Sequence, residues 1–256
     1  HRNMRDMFIV VLDHFSNLTT KFADVVLPTP LLFERTGTIT TGERRVRPVR
    51  KVAESCGDCK PEWQIFKELS EYFSCQNHFA YDDPVHITRE IVGVVPAYRQ
   101  VDVNSVYAGN DAWPEKRMVF RRFVPEHFEG VEDIRSDKYP FILTSFRSAH
   151  HFLTGEMTNL SKMLMSFQEG PYCYISHMDS EQLGIADGDL VEVSSSVGGI
   201  QCEARIDETI PKGRVGMHFH FEQLLVNKLF PTQFDENTFT PNYKMTSVAI
   251  RKQPSA

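Results

Sequence analysis

The stretch DLVEVSSSVGGIQCEARID, residues 189–207, reads as two short β runs joined by the turn signal SVGG. The same texture begins at Tyr139 and continues almost to the end of the chain. YPFILTS, YCYISH, RVGMHFHF and TSVAIRK are further short β runs, and ADGD and IPKG are further turn signals. Short strands at this spacing predict a closed β-barrel or a sandwich.

The other end of the chain has a different grammar. MFIVVLD (7–13) is a continuous apolar run ending in Asp13, and it reads as a buried parallel strand. SNLTTKFA offers a short helix with Ser16 or Asn17 as its cap. ADVVLPTP (23–30) is a second strand, stopped by Pro28 and Pro30. Strand, helix and strand in so short a span predict an α/β sheet. Its ligand crevice is expected beyond the strand carboxyl ends, where Asp13 and Asn17 lie. KPEWQIFKELSEYF (60–73) is an amphipathic helix, with Trp63, Ile65, Phe66, Leu69 and Phe73 at helical apolar spacing. Residues from about 80 to 138 are rich in charge, proline and aromatics, and read as a connection over the surface. The expected domains are an α/β segment over 1–95, a connecting segment over 96–138 and a β-barrel over 139–256.

The net charge of -6 argues against a general nucleic-acid binder. No apolar run approaches the roughly 20 residues that span a bilayer, and the start of the chain has no secretory signal pattern. Five cysteines, an odd number, suit a reduced, cytoplasmic setting. The chain begins at His1 and moves almost at once into an apolar run, which is expected of a piece of something longer.

Several clusters carry chemistry. ERTGTITTGERRVRPVRK (34–51) combines Gly37 and Gly42, four threonines, and Arg44, Arg45, Arg47 and Arg50. Guanidinium groups grip phosphate oxygens in pairs, but a solvated basic strand has the same composition, and both readings stay open. Cys56-x2-Cys59 and Cys75-x2-His78 resemble a zinc pattern. The helix between the pairs would hold them about 20 Å apart, so free thiols are expected. After FILTS come Arg147, His151, Gly155 and Thr158, a set suited to gripping a phosphate or a polar heterocycle. His150 and His151 are adjacent and would point opposite ways on a strand, which weakens a metal reading. His218 and His220 alternate with Phe219 and Phe221, as residues on two faces of one strand do. Asn227, Tyr243 and Lys244 are further polar residues beside apolar ones.

Taken in order, the pieces resemble one family. FIVVLDHF, TTKFADVVLPTPLLFERTGTITTGERRVRPV, PEWQI, LTSFRSAHHFLTGEMT, LGIADGDLVEVSS, GRVGMHFHF and PNYKMTSVAIRK resemble the C-terminal part of molybdopterin oxidoreductases of the dimethyl-sulfoxide-reductase superfamily. The likeness is closest to the formate dehydrogenase catalytic (alpha) subunit. It covers nearly all of the chain except about 80–138. The resemblance implies the end of a Rossmann-like α/β domain followed by a double-psi β-barrel. It implies bis-molybdopterin guanine dinucleotide carrying molybdenum or tungsten. It places Asp13 and Asn17 near a guanosine, and Gly42 and Arg44 near a pterin or its pyrophosphate. Ser145, Arg147, His151 and Thr158 would hold the dinucleotide, and Asn227, Tyr243 and Lys244 would close over the pterin. No metal ligand or catalytic residue is expected in this chain. The family's [4Fe–4S] cysteines, metal-ligating Cys or selenocysteine, and catalytic His and Arg are absent, so the chain is expected to be roughly the last third of the enzyme. Implied partners are the remaining N-terminal part and iron–sulfur or flavin electron-transfer subunits. The alternatives are the same part of a nitrate reductase or of a complex-I-like NADH dehydrogenase large subunit, or a non-catalytic module reusing the fold. Phe146 stands where the family often has Gly, and Leu153 where it often has a second His.

Overall fold

A computed structural model of the chain describes residues 6–112, 125, 133–167, 170–236 and 238–254. It divides into two compact units, His1–Glu126 and His127–Ala256.

In the first unit β1 (Val10–Asp13) and β2 (Val25–Pro28) pair in parallel, with Asp13 opposite Pro28. The expected helix between them is one 3-10 turn, Thr20–Phe22. β1 is not the buried strand its composition suggests, since Val10 is 43% exposed. Continuous apolar composition implies cover on both faces, and a two-stranded sheet has little of its own to supply it. β3 (Gly37–Thr40) and β4 (Val46–Val49) form an antiparallel hairpin. α1 (Glu62–Tyr72) forms where the apolar spacing predicts a helix, but only Ile65 of its apolar set is buried, and Phe66, Leu69 and Phe73 are exposed. Helical spacing predicts a stripe, whereas burial depends on what packs against it.

α2 (Pro84–Val94) starts at Asp83, whose carboxylate accepts from the Val85 N–H at 2.7 Å, with proline in the first turn. α3 (Val103–Tyr107) is capped in the same way by Asp102. The core of this unit gathers Val46, Val101 and Val106. Val101 and Val106 come from the stretch read as a connecting segment, 96–138; residues 113–124 and 126–132 of that stretch lie outside the described residues.

The second unit contains all six β runs read from the sequence. They are β5 (Phe141–Phe146), β6 (Tyr172–Ile175), β7 (Leu190–Ser194), β8 (Gly199–Ile206), β9 (Arg214–His218) and β10 (Met245–Lys252). They close into a barrel in the order β10-β5-β9-β6-β8-β7. Closure depends on two strands of 8 residues. β10 pairs with β5 through Met245–Val248 and with β7 through Ala249–Lys252. β8 pairs with β7 through its first half and with β6 through its second.

Alternate residues fill the barrel: Phe141 and Leu143 from β5, Val191 and Val193 from β7, Val215 and Met217 from β9, and Val248 and Ile250 from β10. The inward row of β5 ends on a polar residue, the buried Ser145. A short helix, α4 (His177–Leu183), follows β6; Ser176 caps it and Gly184 ends it at φ 64°. Its buried Asp179 accepts from Ser176 Oγ at 2.6 Å and from the Gly213 N–H at 2.7 Å, which ties the helix to the turn before β9.

Gly216 of β9 has a role that its spacing does not reveal. A Cβ there would meet Cε1 of Phe146 at 2.2 Å, so the bare backbone is the seat of that ring. Phe146 and Tyr174 then each meet His218 edge to face, and are tilted at 49° to one another, outside the barrel wall. Gly216→Ala is expected to push the ring off its seat and cost about 1–2 kcal/mol. Urea unfolding measures this, and an unchanged midpoint would contradict the packing.

Candidate functional site

In the first unit the carboxyl ends of β1 and β2 border a cavity of about 360 Å3 lined by Asp13, His14, Phe15, Ser16, Lys21 and Pro28, among others. Asn17 is not part of that lining, but its Nδ2 donates to Asp13 Oδ2 at 2.7 Å. Asp13 Oδ1 accepts from the His14 N–H at 2.7 Å, and Asn17 Oδ1 accepts from the Thr19 and Thr20 N–H groups at 2.8 and 3.2 Å. The Phe15 N–H also donates to Asp13 Oδ1, at 3.3 Å; these bonds set the loop and fill Oδ1, and Oδ2 alone retains a lone pair for a donor from outside.

Gly42 and Arg44 sit in the turn of the β3–β4 hairpin, closed by the Arg44 N–H donating to the Thr41 carbonyl at 2.8 Å. The left-handed residue of that turn is Arg44, at φ 64°, rather than either glycine of the segment. A Cβ at Gly37 or Gly42 would meet nothing within 4 Å. Arg45 and Arg47 both pair with Asp111, at 3.2 and 2.9 Å. The bond from Arg47, aided by Arg45, holds the Asp111 carboxyl below its usual range. Arg50 Nη2 donates to the Tyr107 carbonyl at 3.5 Å, so three of the four arginines have partners within the unit, and the exposed Arg44 projects at the hairpin tip.

In the second unit Ser145 ties the end of β5 to the last connection. Its Oγ donates to the Tyr243 carbonyl, and its N–H donates to the Lys244 carbonyl at 3.1 Å. Tyr243 and Lys244 are held there by backbone, leaving their side chains outside. Arg147, the first residue past β5, is exposed and lies over the Phe219 ring, 5.3 Å from its centre. His151 Nδ1 bonds Thr158 Oγ1 at 2.8 Å. Asn227, in a 3-10 turn (Val226–Leu229), is exposed.

A residue that sequence reasoning treated only as part of a pair completes this cluster. β9 ends at His218, so the alternation expected of His218 and His220 stops there, and His220 turns into the protein with only 1% of its surface exposed. Its ring stacks on His151 with centroids 4.5 Å apart and planes 5° apart. Asn159 Nδ2 donates to the His220 carbonyl at 2.9 Å. Gly155 passes so close that a Cβ would lie 2.5 Å from both Asn159 Nδ2 and the His220 carbonyl oxygen. Burial, and then His151 and His218 nearby, bring His220 down to about 4. Burial, and then His150, lower His151 as well. Both rings are neutral near pH 7. His151 Nε2, His220 Nε2 and Asn159 Oδ1 are buried without a hydrogen-bond partner, and such groups each cost about 1–3 kcal/mol until something satisfies them. Three orphaned polar atoms, and an exposed guanidinium over the neighbouring Phe219 ring, suit a ligand with both anionic oxygens and a hydrogen-bonding ring edge. The HFH spacing was the one signal for His220 in the sequence. Among the described residues no group of three or more His, Cys, Asp or Glu side chains is placed to hold a metal ion.

A closed barrel whose loops present an arginine, neutral imidazoles and hydroxyls has the chemistry to hold a large anionic heterocycle. Residues 141–247 match the molydopterin dinucleotide binding domain, and residues 1–72 match the molybdopterin oxidoreductase domain. The chain belongs to the molybdopterin oxidoreductases. It is 35% identical over 262 residues to the F420-dependent formate dehydrogenase subunit alpha of Methanocaldococcus jannaschii, matching 96% of this chain and 39% of that one. It is 30% identical to the F420-dependent formate dehydrogenase 2 subunit alpha of Methanococcus maripaludis, with the same coverage of 96% and 39%. The chain thus spans 39% of the length of these curated relatives. Among solved structures, acetylene hydratase from Pelobacter acetylenicus superposes with a TM-score of 0.74 at 15% identity, over 98% of this chain and 41% of the other; that likeness concerns the fold alone.

Proposed function

We propose that the chain is the cofactor-binding portion of a formate dehydrogenase. It would hold bis-molybdopterin guanine dinucleotide with molybdenum or tungsten, for two-electron interconversion of formate and CO2. The observation that carries this reading lies in the loops past β5 and β9: an exposed Arg147 over the Phe219 ring, and two stacked neutral histidines, His151 and His220, whose Nε2 atoms are buried and unpartnered. The likeness to two formate dehydrogenase alpha subunits supports the choice of reaction.

When bound, the cofactor supplies the redox chemistry. This chain's residues bind and orient it. Arg147 meets pyrophosphate oxygens in pairs. His151, held by Thr158, offers Nε2 to a ring edge or an oxygen. Asn227, Tyr243 and Lys244 would close over the pterin, Tyr243 and Lys244 on backbone that Ser145 holds. In the first unit Asp13 and Asn17 meet the guanosine, and Gly42 and Arg44 meet a pterin or its pyrophosphate. We read the barrel as double-psi, which its two parallel pairs, β5–β9 and β6–β8, support, and the first unit as the end of a Rossmann-like domain. The remaining N-terminal part of the enzyme would supply the [4Fe–4S] cluster and the metal ligand. Partner subunits for electron transfer fit the word subunit in the relatives' names. No described helix is long and apolar enough to cross a membrane.

The test is chemical. The complete enzyme, this chain together with its remaining N-terminal part, purified without air, is expected to release GMP on mild acid treatment and to contain molybdenum or tungsten. It is expected to reduce an artificial dye with formate and to leave nitrate untouched. Absence of GMP would defeat the binding reading. Nitrate reduction without formate oxidation would move the reaction to the nitrate reductase alternative.

A further inference from the structure

The cysteines of the first unit play no part in the reading above. Between β4 and α1 the chain makes a tight turn at Cys56-Gly57-Asp58-Cys59. Gly57 stands at φ 61°, and a Cβ there would meet nothing within 4 Å, so glycine serves the backbone conformation and not the space. Cys59 Sγ folds back over the turn, 2.8 Å from the Cys56 carbonyl oxygen. A four-residue turn brings its end Cα atoms within about 7 Å, and disulfides bridge Cα atoms about 4.4–6.8 Å apart. Both thiols are free; Cys56 is exposed and Cys59 half-buried. Cys173 and Cys202 are a contrast: they are buried in the barrel, and the bond to Cys202, with burial, pushes the Cys173 thiol well up. The arm carrying Cys56 and Cys59 is pinned at both ends. The Val52 and Ala53 N–H groups donate to the Phe33 carbonyl at 2.8 and 3.1 Å, and the Lys60 N–H donates to the Pro28 carbonyl at 3.4 Å. The two cysteines therefore stand at the ends of one tight turn, Cys59 Sγ folded toward Cys56, on an accessible loop.

We propose that Cys56 and Cys59 form a redox-active dithiol that closes reversibly to a disulfide by exchange with a low-molecular-weight disulfide, RSSR. Cys56, the more exposed, loses its proton to solvent and attacks one sulfur of RSSR. A mixed disulfide forms and RS⁻ leaves. Cys59 loses its proton and attacks the Cys56 sulfur; the Cys56–Cys59 bond forms and the second RS⁻ leaves. Both RS⁻ take up protons. Two protein thiols are oxidised and one RSSR is reduced to two RSH, and excess thiol runs the sequence backwards. Closure staples the arm between the β3–β4 hairpin and α1. It requires neither the cofactor nor formate chemistry.

The experiment uses the reduced wild-type protein, freed of reductant and exposed to glutathione disulfide. Remaining thiols are then blocked with N-ethylmaleimide. Trypsin does not cut Lys60–Pro61, so one peptide, residues 52–67, carries both cysteines and no third. We expect that peptide two hydrogens lighter and without maleimide, and restored by dithiothreitol. Cys56→Ser and Cys59→Ser should instead hold glutathione on the remaining cysteine. They should carry at least about tenfold more adduct than wild type, because ring closure outruns a second bimolecular attack. Two maleimides on the wild-type peptide, stable glutathione adducts at both cysteines, or a link from Cys59 to Cys75 would each overturn the proposal.

Discussion

In the complete enzyme, Arg147→Ala is expected to lower the cofactor content about ten- to a hundredfold, the loss that follows when a charge-assisted bond of about 1.5–3 kcal/mol is removed. Turnover per loaded molecule should change little, because this residue holds the cofactor and takes no part in the reaction. The barrel itself should survive. Arg147 is exposed, and its one described packing partner is the Phe219 ring at 5.3 Å; an exposed contact of that kind contributes about 0.5–1 kcal/mol. Arg147→Lys keeps the charge but loses the planar fork and should fall between the two. Released GMP and metal per protein, measured beside dye reduction per metal, separate occupancy from chemistry. A folded alanine variant with full occupancy would remove Arg147 from the site.

Acidification from pH 7 to about 4 is expected to weaken the second unit by about 2–3 kcal/mol through His220 alone. In the unfolded chain this imidazole titrates near its ordinary value, about 6.5. In the fold it is held down to about 4. Above the higher value neither state takes the proton, and the pH has no effect through this group. Between the two values the unfolded state binds a proton that the folded state refuses, so stability falls as the pH falls. Below about 4 both states are protonated and the loss levels off. His151, lowered in the same direction, adds to the slope. The difference between wild type and His220→Phe isolates the effect, since phenylalanine keeps a ring against His151 and removes the titration. Urea midpoints across this range should fall more steeply for wild type. Parallel curves would show that His220 is not held neutral by burial.

The local pattern in the chain was enough for the elements that local pattern controls. Alternate inward residues such as Phe141 and Leu143, or Val191 and Val193, are a period-two signal confined to a few residues, and all six barrel strands lie where that signal occurs. The arginine loop was legible for the same reason, because Arg147 directly follows a strand. Burial in the first unit was less legible. Val10 and Phe66 have the composition of covered residues, yet cover is supplied by neighbours that composition does not name.

By itself, then, the sequence determined which residues become strands, and which short loop carries the guanidinium and the His151–Thr158 pair. Only the tertiary structure decided how the barrel closes and what stands beside His151. Two 8-residue strands each serve two partners, a matter of register between distant segments. The parallel pairing of β5 with β9 sets Phe146 opposite His218, so the loops leaving both strands emerge side by side. That register brings His220 onto His151, and no spacing along the chain encodes it, because hydrogen-bonded ladders join residues by geometry and not by separation in sequence.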